Sequence, residues 1–235
     1  MRGTICRSLP LTLILAITLT ATAITTCSAQ DTDRKTLREE LQLLTAEVEK
    51  APDNIDLRLR KAACCIELNE WERAKVEYDY ILDRDPNNLS ALFYRAYTNT
   101  RLNRLPFARN DYEAMLKIIP YHFEAQLGLA LVNQKDGRPA EALNQMNLLV
   151  EQNTDNALAY AARGGMEVEQ GLLELAEYDY SQALSLDEDN TDYLLNRADI
   201  RLRLGKHKEA KTDLDTLVDL GINRASLTEF YNRLK

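Results

Sequence analysis

The stretch NEWERAKVEYDYILDRDPNN, residues 69–88, returns in altered form as NRLPFARNDYEAMLKIIPYH, residues 103–122, and this offset of 34 residues decides the fold. Both segments open on Asn and share Ala, Tyr and Pro at matching places. Working outward, alanines recur at the same interval at Ala74, Ala108, Ala142, Ala176 and Ala210. Ala62, Ala96, Ala130, Gly164 and Ala198 make a second series, and Asn69, Asn103, Gly137, Gly171 and Gly205 a third. Asn54, Asn88, Asn156 and Asn190 make a fourth, interrupted only by His122. Self-similarity at such a period marks an architecture of stacked units.

Each series has a physical task. The Asn54 series stands where a helix should begin, because an Asn side chain accepts a hydrogen bond from an otherwise unpaired amide. The Asn69 series holds the two residue types that tolerate the left-handed conformation ending a helix. A second helix follows at once. It reads Ala74, Tyr78, Ile81, Leu82 in the first unit and Ala108, Tyr112, Met115, Leu116 in the second. Later units give Ala142, Met146, Leu149, Val150, then Ala176, Tyr180, Ala183, Leu184, then Ala210, Leu214, Leu217, Val218. That spacing of i, i+4, i+7, i+8 is one helical face. Pro86 and Pro120 stop the second helices of the first two units. Small residues at Ala62 and Ala74 let two backbones approach closely, where a larger side chain would overpack the contact. The spacing therefore predicts tight antiparallel helix pairs, each needing a neighbour to cover its outer apolar surface.

This period and placement resemble the tetratricopeptide repeat family. The resemblance covers residues 55–222 as five units and rests on the small-residue series, on Tyr78, Tyr112, Met146, Tyr180 and Leu214, and on Pro86 and Pro120. It implies an all-α, right-handed superhelical solenoid. Departures occur at Arg58 and Gln126, where the family favours a large apolar residue, and at Asn99, Asn133, Glu167 and Arg201, where it favours an aromatic. Two capping segments flank the units. Residues 31–54 carry the stripe Leu37, Leu41, Leu44, Val48, and residues 223–235 carry Leu227, Phe230, Tyr231 and Leu234. A solenoid needs such caps because an uncovered end is an exposed apolar patch.

The first 29 residues have a different composition. Arg2 and Arg7 precede an apolar run from Leu9 to Ile24, and no acidic residue occurs before Gln30. The run is too short and too rich in threonine for a membrane span, which wants about 20 apolar residues. A basic start, a short apolar middle and a small-residue exit predict an export signal. Three exits fit: cleavage after Ala29, with Gln30 first in the mature chain; cleavage after Ala23; and a lipoprotein-like Ile24-Thr25-Thr26-Cys27, in which Cys27 is lipidated. The expected location is outside the cytoplasm, periplasmic or secreted, with a lipid anchor as the variant. Cys64 and Cys65 remain in the mature chain. Their side chains point apart on a helix, so buried free thiols are expected and not a mutual disulfide.

Composition excludes several functions. With 37 Asp+Glu against 29 Lys+Arg, the net charge of −8 argues against a nucleic-acid partner. No phosphate-binding Gly-rich loop, zinc-binding helix motif or nucleophile elbow occurs, so no catalytic residue, metal ligand or cofactor is expected. His122 and His207 read as surface residues. The acidic stretches Asp83–Asn87 and Asp187–Thr191 lack the Gly and Glu of a calcium loop and read as solvated turns.

The resemblance implies a function in protein binding, because the first helices of successive units in that family line a concave groove. Carried onto this chain, the groove offers Leu59, Ala63 and Ile66 in the first unit, and Phe93, Tyr97 and Arg101 in the second. The third unit adds Leu127, Leu131 and Lys135. The last two add Val168 with Glu169, and Leu195 with Asp199 and Arg203. Some family members clamp a peptide carboxylate with Lys and Asn where this chain has Leu59 and Ala63, so that mode is not expected. An apolar groove edged by Arg101, Lys135 and Arg203 suits an amphipathic or aromatic-containing segment. The leading expectation is a non-catalytic adaptor; the alternatives are a lipid-anchored structural subunit of an envelope assembly and, remotely, a hydrolase or metalloenzyme.

Overall fold

A computed structural model describes residues 26–234, with side chains from Arg34 onward. The export signal read in residues 1–29, Cys27 included, lies outside the described side chains. Among the described residues there are helices and no strands. Helix α1 spans Thr26–Lys50, and five pairs follow: α2 Ile55–Glu67 with α3 Trp71–Arg84, α4 Leu89–Arg101 with α5 Leu105–Ile118, α6 Phe123–Lys135 with α7 Pro139–Gln152, α8 Ala157–Glu169 with α9 Leu173–Leu186, and α10 Thr191–Arg203 with α11 His207–Asp219. A 3-10 turn over Arg224–Leu227 and α12, Thr228–Asn232, end the chain. Each helix packs on the one before and the one after it, which makes a stack of helix pairs.

The repeated residues do the work their chemistry suggests. The side chains of Asn54, Asn88, Asn156 and Asn190 accept from the amides of Leu57, Ala91, Leu158 and Tyr193 at 3.0–3.1 Å. His122, the odd member, makes no such bond. Asn69 and Asn103 adopt φ of 61° and 58°, the left-handed turn that lets α3 and α5 fold back on their partners. Ala62, Ala74, Ala96, Ala108, Ala130, Ala142, Ala176, Ala198 and Ala210 are all fully buried. At Gly164 an added Cβ would stand 3.1 Å from the Tyr180 ring, which accounts for the one glycine in that series. Tyr78, Tyr112, Met146, Tyr180 and Leu214 are all buried.

At the N-terminal end, Leu41, Leu44 and Val48 of α1 are buried, with Leu37 half-buried beside them against the first unit. At the other end Leu227 is buried, while Phe230, Tyr231 and Leu234 pack partly exposed on the last unit. Cys64 and Cys65 are buried free thiols, and the Cys64 thiol lies 3.1 Å from the Leu37 carbonyl of α1. Burial, helped by nearby Glu40, pushes the Cys64 thiol up to about 11.

The interior also carries a ladder of charge. Lys61, Arg95, Arg163 and Arg197 keep the 34-residue register, and so do their partners Glu77, Asp111, Asp179 and Asp213. The ion pairs across the helix pairs measure 2.7, 2.7, 2.6 and 2.7 Å. The three arginines also reach back to the preceding unit, donating to Asp79 at 2.9 Å, Asn147 at 3.0 Å and Ser181 at 3.2 Å. Each guanidinium thus ties one unit to the next with a planar fork of donors. The third unit replaces the pair by Leu129 and Gln145, and Gln145 accepts from Asn133 at 2.8 Å instead. Arg58, the first departure from the family pattern, is buried, donating to the Pro52 carbonyl at 2.7 Å and pairing with Glu77.

Candidate partner-binding groove

The first helices α2, α4, α6, α8 and α10 succeed one another along the stack. The C-terminal ends of α4, α6 and α8 meet through side chains about one repeat apart. Lys135 of α6 donates to the Thr100 carbonyl of α4 at 2.9 Å, and Gln134 donates to Glu169 of α8 at 3.0 Å. Arg233, beyond the last unit, pairs with Asp199 of α10 at 2.6 Å. The Arg101 guanidinium sits 4.8 Å from the centre of the Trp71 ring, and that ring meets Tyr97 edge-on at 5.9 Å.

Within this frame the expected groove residues divide into three sets. Leu59, Phe93, Tyr97, Leu131, Val168 and Leu195 are half-buried, so part of each apolar side chain remains accessible. Arg101, Lys135 and Arg203 are exposed, Arg203 lying 3.9 Å from Asp199. Ile66 and Leu127 are each only 4% exposed, and the assignment of these two to an accessible lining is corrected. Ile66 joins Leu41 and Leu44 of α1 in one apolar cluster, while Leu127 joins Ala159 and Ala162 of α8 in another. Both clusters draw residues from several helices, which the spacing within one helix does not reveal.

The aromatic weight lies in the second unit. Phe93 meets Tyr94 and Tyr112 edge-on at 5.2 and 6.1 Å between ring centres and remains half-buried. Phe93 and Tyr97 on α4 and Leu131 on α6 each keep part of their surface, and the exposed cations Arg101 and Lys135 follow Tyr97 and Leu131 by four residues on the same two helices. Trp71 was not anticipated as part of this surface. Its signal was its position at the first turn of α3, next to the turn that faces the end of α2. The charge ladder was likewise not anticipated, although its arginines and aspartates repeat at the same interval as the alanines.

Other sequence features are spent on local structure. Asn88 accepts from the Ala91 amide and donates to Asp85 at 3.1 Å, and Asn190 donates to Asp187 at 2.8 Å, so the two acidic stretches are hydrogen-bonded turns. Tyr80 donates to Asp53 at 2.6 Å, with the guanidinium groups of Arg58 and Arg84 at 3.3 and 3.5 Å from its ring centre. Among the described residues no helix is long and apolar enough to cross a membrane.

Comparison with known proteins agrees with the fold. A sequence model of the tetratricopeptide repeat matches residues 127–192. Two rice (Oryza sativa subsp. japonica) proteins, DnaJ protein P58IPK homologs B and A, are 29% and 28% identical over 167 and 164 residues. Each match covers 68% of this chain, and the chain spans 30% of the length of either relative. Among solved structures, a tetratricopeptide repeat protein from Parabacteroides merdae superposes with a TM-score of 0.67 at 22% identity, covering 86% of this chain and 79% of its own. MamA from Desulfovibrio magneticus gives 0.60 at 21%, covering 72% and 95%. YrrB, described as a tetratricopeptide repeat protein with an unusual peptide-binding site, gives 0.53 at 21%, covering 76% and 92%. At these identities the structural likeness is one of fold.

Proposed function

We propose that this chain, which carries the tetratricopeptide-repeat fold, is a non-catalytic adaptor that holds a segment of another protein against its first helices. Phe93, Tyr97 and Leu131 carry the reading: three large side chains left part-exposed on the first helices α4 and α6, with the exposed cations Arg101 and Lys135 one helical turn further along. Immobile aromatic and aliphatic anchors surrounded by charge are what concentrates binding energy in a small area. The peptide-binding site described for YrrB, a protein of the same fold, supports it further. The partner segment is amphipathic, placing apolar side chains on these three residues and acidic ones toward Arg101 and Lys135.

A location outside the cytoplasm is part of the proposal and rests on the leader pattern of residues 1–29 alone. Mass spectrometry of the mature N-terminus distinguishes its two forms: a chain starting at Gln30 is a free exported adaptor, and an acylated Cys27 makes it a lipid-anchored subunit. An intact Met1 on the isolated protein would overturn export.

The groove is tested by capture of partners from the envelope and secreted fractions. Phe93→Ala/Tyr97→Ala removes the aromatic anchors, and Arg101→Glu/Lys135→Glu reverses charge at exposed positions without opening the core. Both variants, shown folded by circular dichroism, are expected to lose the partners the natural chain retains. Equal recovery by the folded variants would exclude this face as the binding surface.

A further inference from the structure

Position by position, the five helix pairs place one residue of the first helix opposite an acidic or amide side chain of the second. The pairs are Cys65 with Glu77, Asn99 with Asp111, Asn133 with Gln145, Glu167 with Asp179, and Arg201 with Asp213, each twelve residues apart. Three of these are donor-to-acceptor contacts. Asn99 donates to Asp111 at 3.4 Å, Asn133 to Gln145 at 2.8 Å and Arg201 to Asp213 at 2.8 Å. The fourth unit sets a carboxyl against a carboxyl, with Glu167 5% exposed and Asp179 1% exposed.

Arg163 does not resolve this conflict. Its fork closes on Asp179, through Nε at 2.6 Å and Nη2 at 2.8 Å, and its third nitrogen goes to Asn147 of α7. One cation is thus committed to one carboxylate, and Oε2 of Glu167 is buried with no donor to accept from. The charged groups bearing on Glu167 are Asp179 from α9 and Arg163 from its own helix. From α7 comes the neutral amide of Asn147, by way of Arg163, while Gln134 of α6 is occupied with the neighbouring Glu169. An ionised carboxylate in this place carries the full cost of desolvation beside a like charge. A neutral one has an O–H to donate, and Asp179 is an acceptor within reach.

We propose that the fourth helix pair is a proton-dependent joint, in which neutral Glu167 donates a hydrogen bond to Asp179 across α8 and α9 and loss of that proton loosens the two helices. Burial, with the Asp179 charge second, pushes the Glu167 carboxyl up to about 7 from its ordinary 4.5. The sign follows. A carboxyl held above its unfolded value contributes stability that is complete below that value and is lost as pH rises through the folded value. The loosening therefore develops between mildly acidic and neutral pH, where ordinary carboxylates have already titrated. Glu167 is followed on α8 by Val168, one of the expected groove residues, so the joint shares a helix with that proposed surface.

Glu167→Gln is the test, because an amide keeps the shape and the donated bond but does not titrate. Between about pH 5 and about pH 8 the unfolding equilibrium constant of the natural chain, divided by that of the Gln variant, is expected to rise on the order of a hundredfold. Parallel pH dependence of the two proteins would overturn the proposal. Should the Gln variant fold poorly, Glu167→Asn, the residue used at Asn99 and Asn133, takes its place. The carboxyl carbon resonance of Glu167 in the natural chain gives a separate reading: a midpoint near neutrality supports the joint, and one near 4.5 rejects it.

Discussion

The ring of Tyr112 on α5 lies against the Cα of Gly128 on α6, in the space where any other residue would carry its Cβ. The contact joins the second unit to the third and places the aromatic anchor of one beneath the first helix of the next. Gly128 is therefore fixed by close approach and not by backbone conformation.

Gly128→Ala is expected to destabilise the protein by about 1–3 kcal/mol through overpacking against Tyr112. Gly165→Ala on α8 serves as the control, since its Cβ would meet only the Tyr180 hydroxyl at 3.5 Å, an ordinary contact. Helix propensity then favours the alanine by roughly 0.5–1 kcal/mol. Urea unfolding of the two variants should move in opposite directions; movement in the same direction would contradict the Tyr112 contact.

The alanine registers give a second expectation. Ala142 is fully buried between α6 and α7, while its neighbour Glu141 is exposed. Ala142→Arg should cost more than about 4 kcal/mol, and Glu141→Arg should stay within about 0.5 kcal/mol. Similar losses of melting temperature would mean that the helix faces are misassigned.

The charge ladder predicts strong coupling within one rung. Asp111→Ala leaves the Arg95 guanidinium partly buried with only Asp79 to compensate it, at an expected cost of about 3–5 kcal/mol. The third unit supplies an uncharged solution in Leu129 and Gln145, with Asn133 standing where the second has Asn99. Installing it as Arg95→Leu/Asp111→Gln should cost well below the sum of the single changes, because no charge is left unpaired. A double-mutant cycle with additive losses would refute this account.

The two interior thiols should be inert in the folded protein. With the Cys64 thiol pushed up to about 11, only on the order of a thousandth is thiolate at pH 8, and the thiolate is the reactive form. Peptide mapping after brief alkylation should find Cys64 and Cys65 unmodified in buffer and fully modified in urea. Rapid labelling of either in the native state would show that α1 does not stay seated on α2.

Much of the architecture is legible in the chain because it depends on residues that act locally or repeat. Asn54 and Asn88 cap the helices that follow them, Asn69 and Asn103 make the left-handed turns, and the alanines mark where helices touch. Side-chain exposure at the expected groove positions was legible in part. Phe93, Tyr97, Leu131, Val168 and Leu195 keep some surface, as helical spacing implies, but Ile66 and Leu127 do not. Both belong to clusters that include residues from helices outside their own pair, and periodicity within one helix carries no information about those neighbours.

Polar residues show the same division. Arg58, Asn99, Asn133, Glu167 and Arg201 look like defects in an apolar pattern when read one helix at a time. Packed together, four of them acquire partners, and Glu167 meets another acid. The sequence alone settles the period, the pairing and the turns, since backbone preference and side-chain size act over a few residues. Which side chains are covered and which charges meet is decided by the stacking of units 34 residues apart, because burial and ion pairing are properties of surfaces brought together only when the chain has folded.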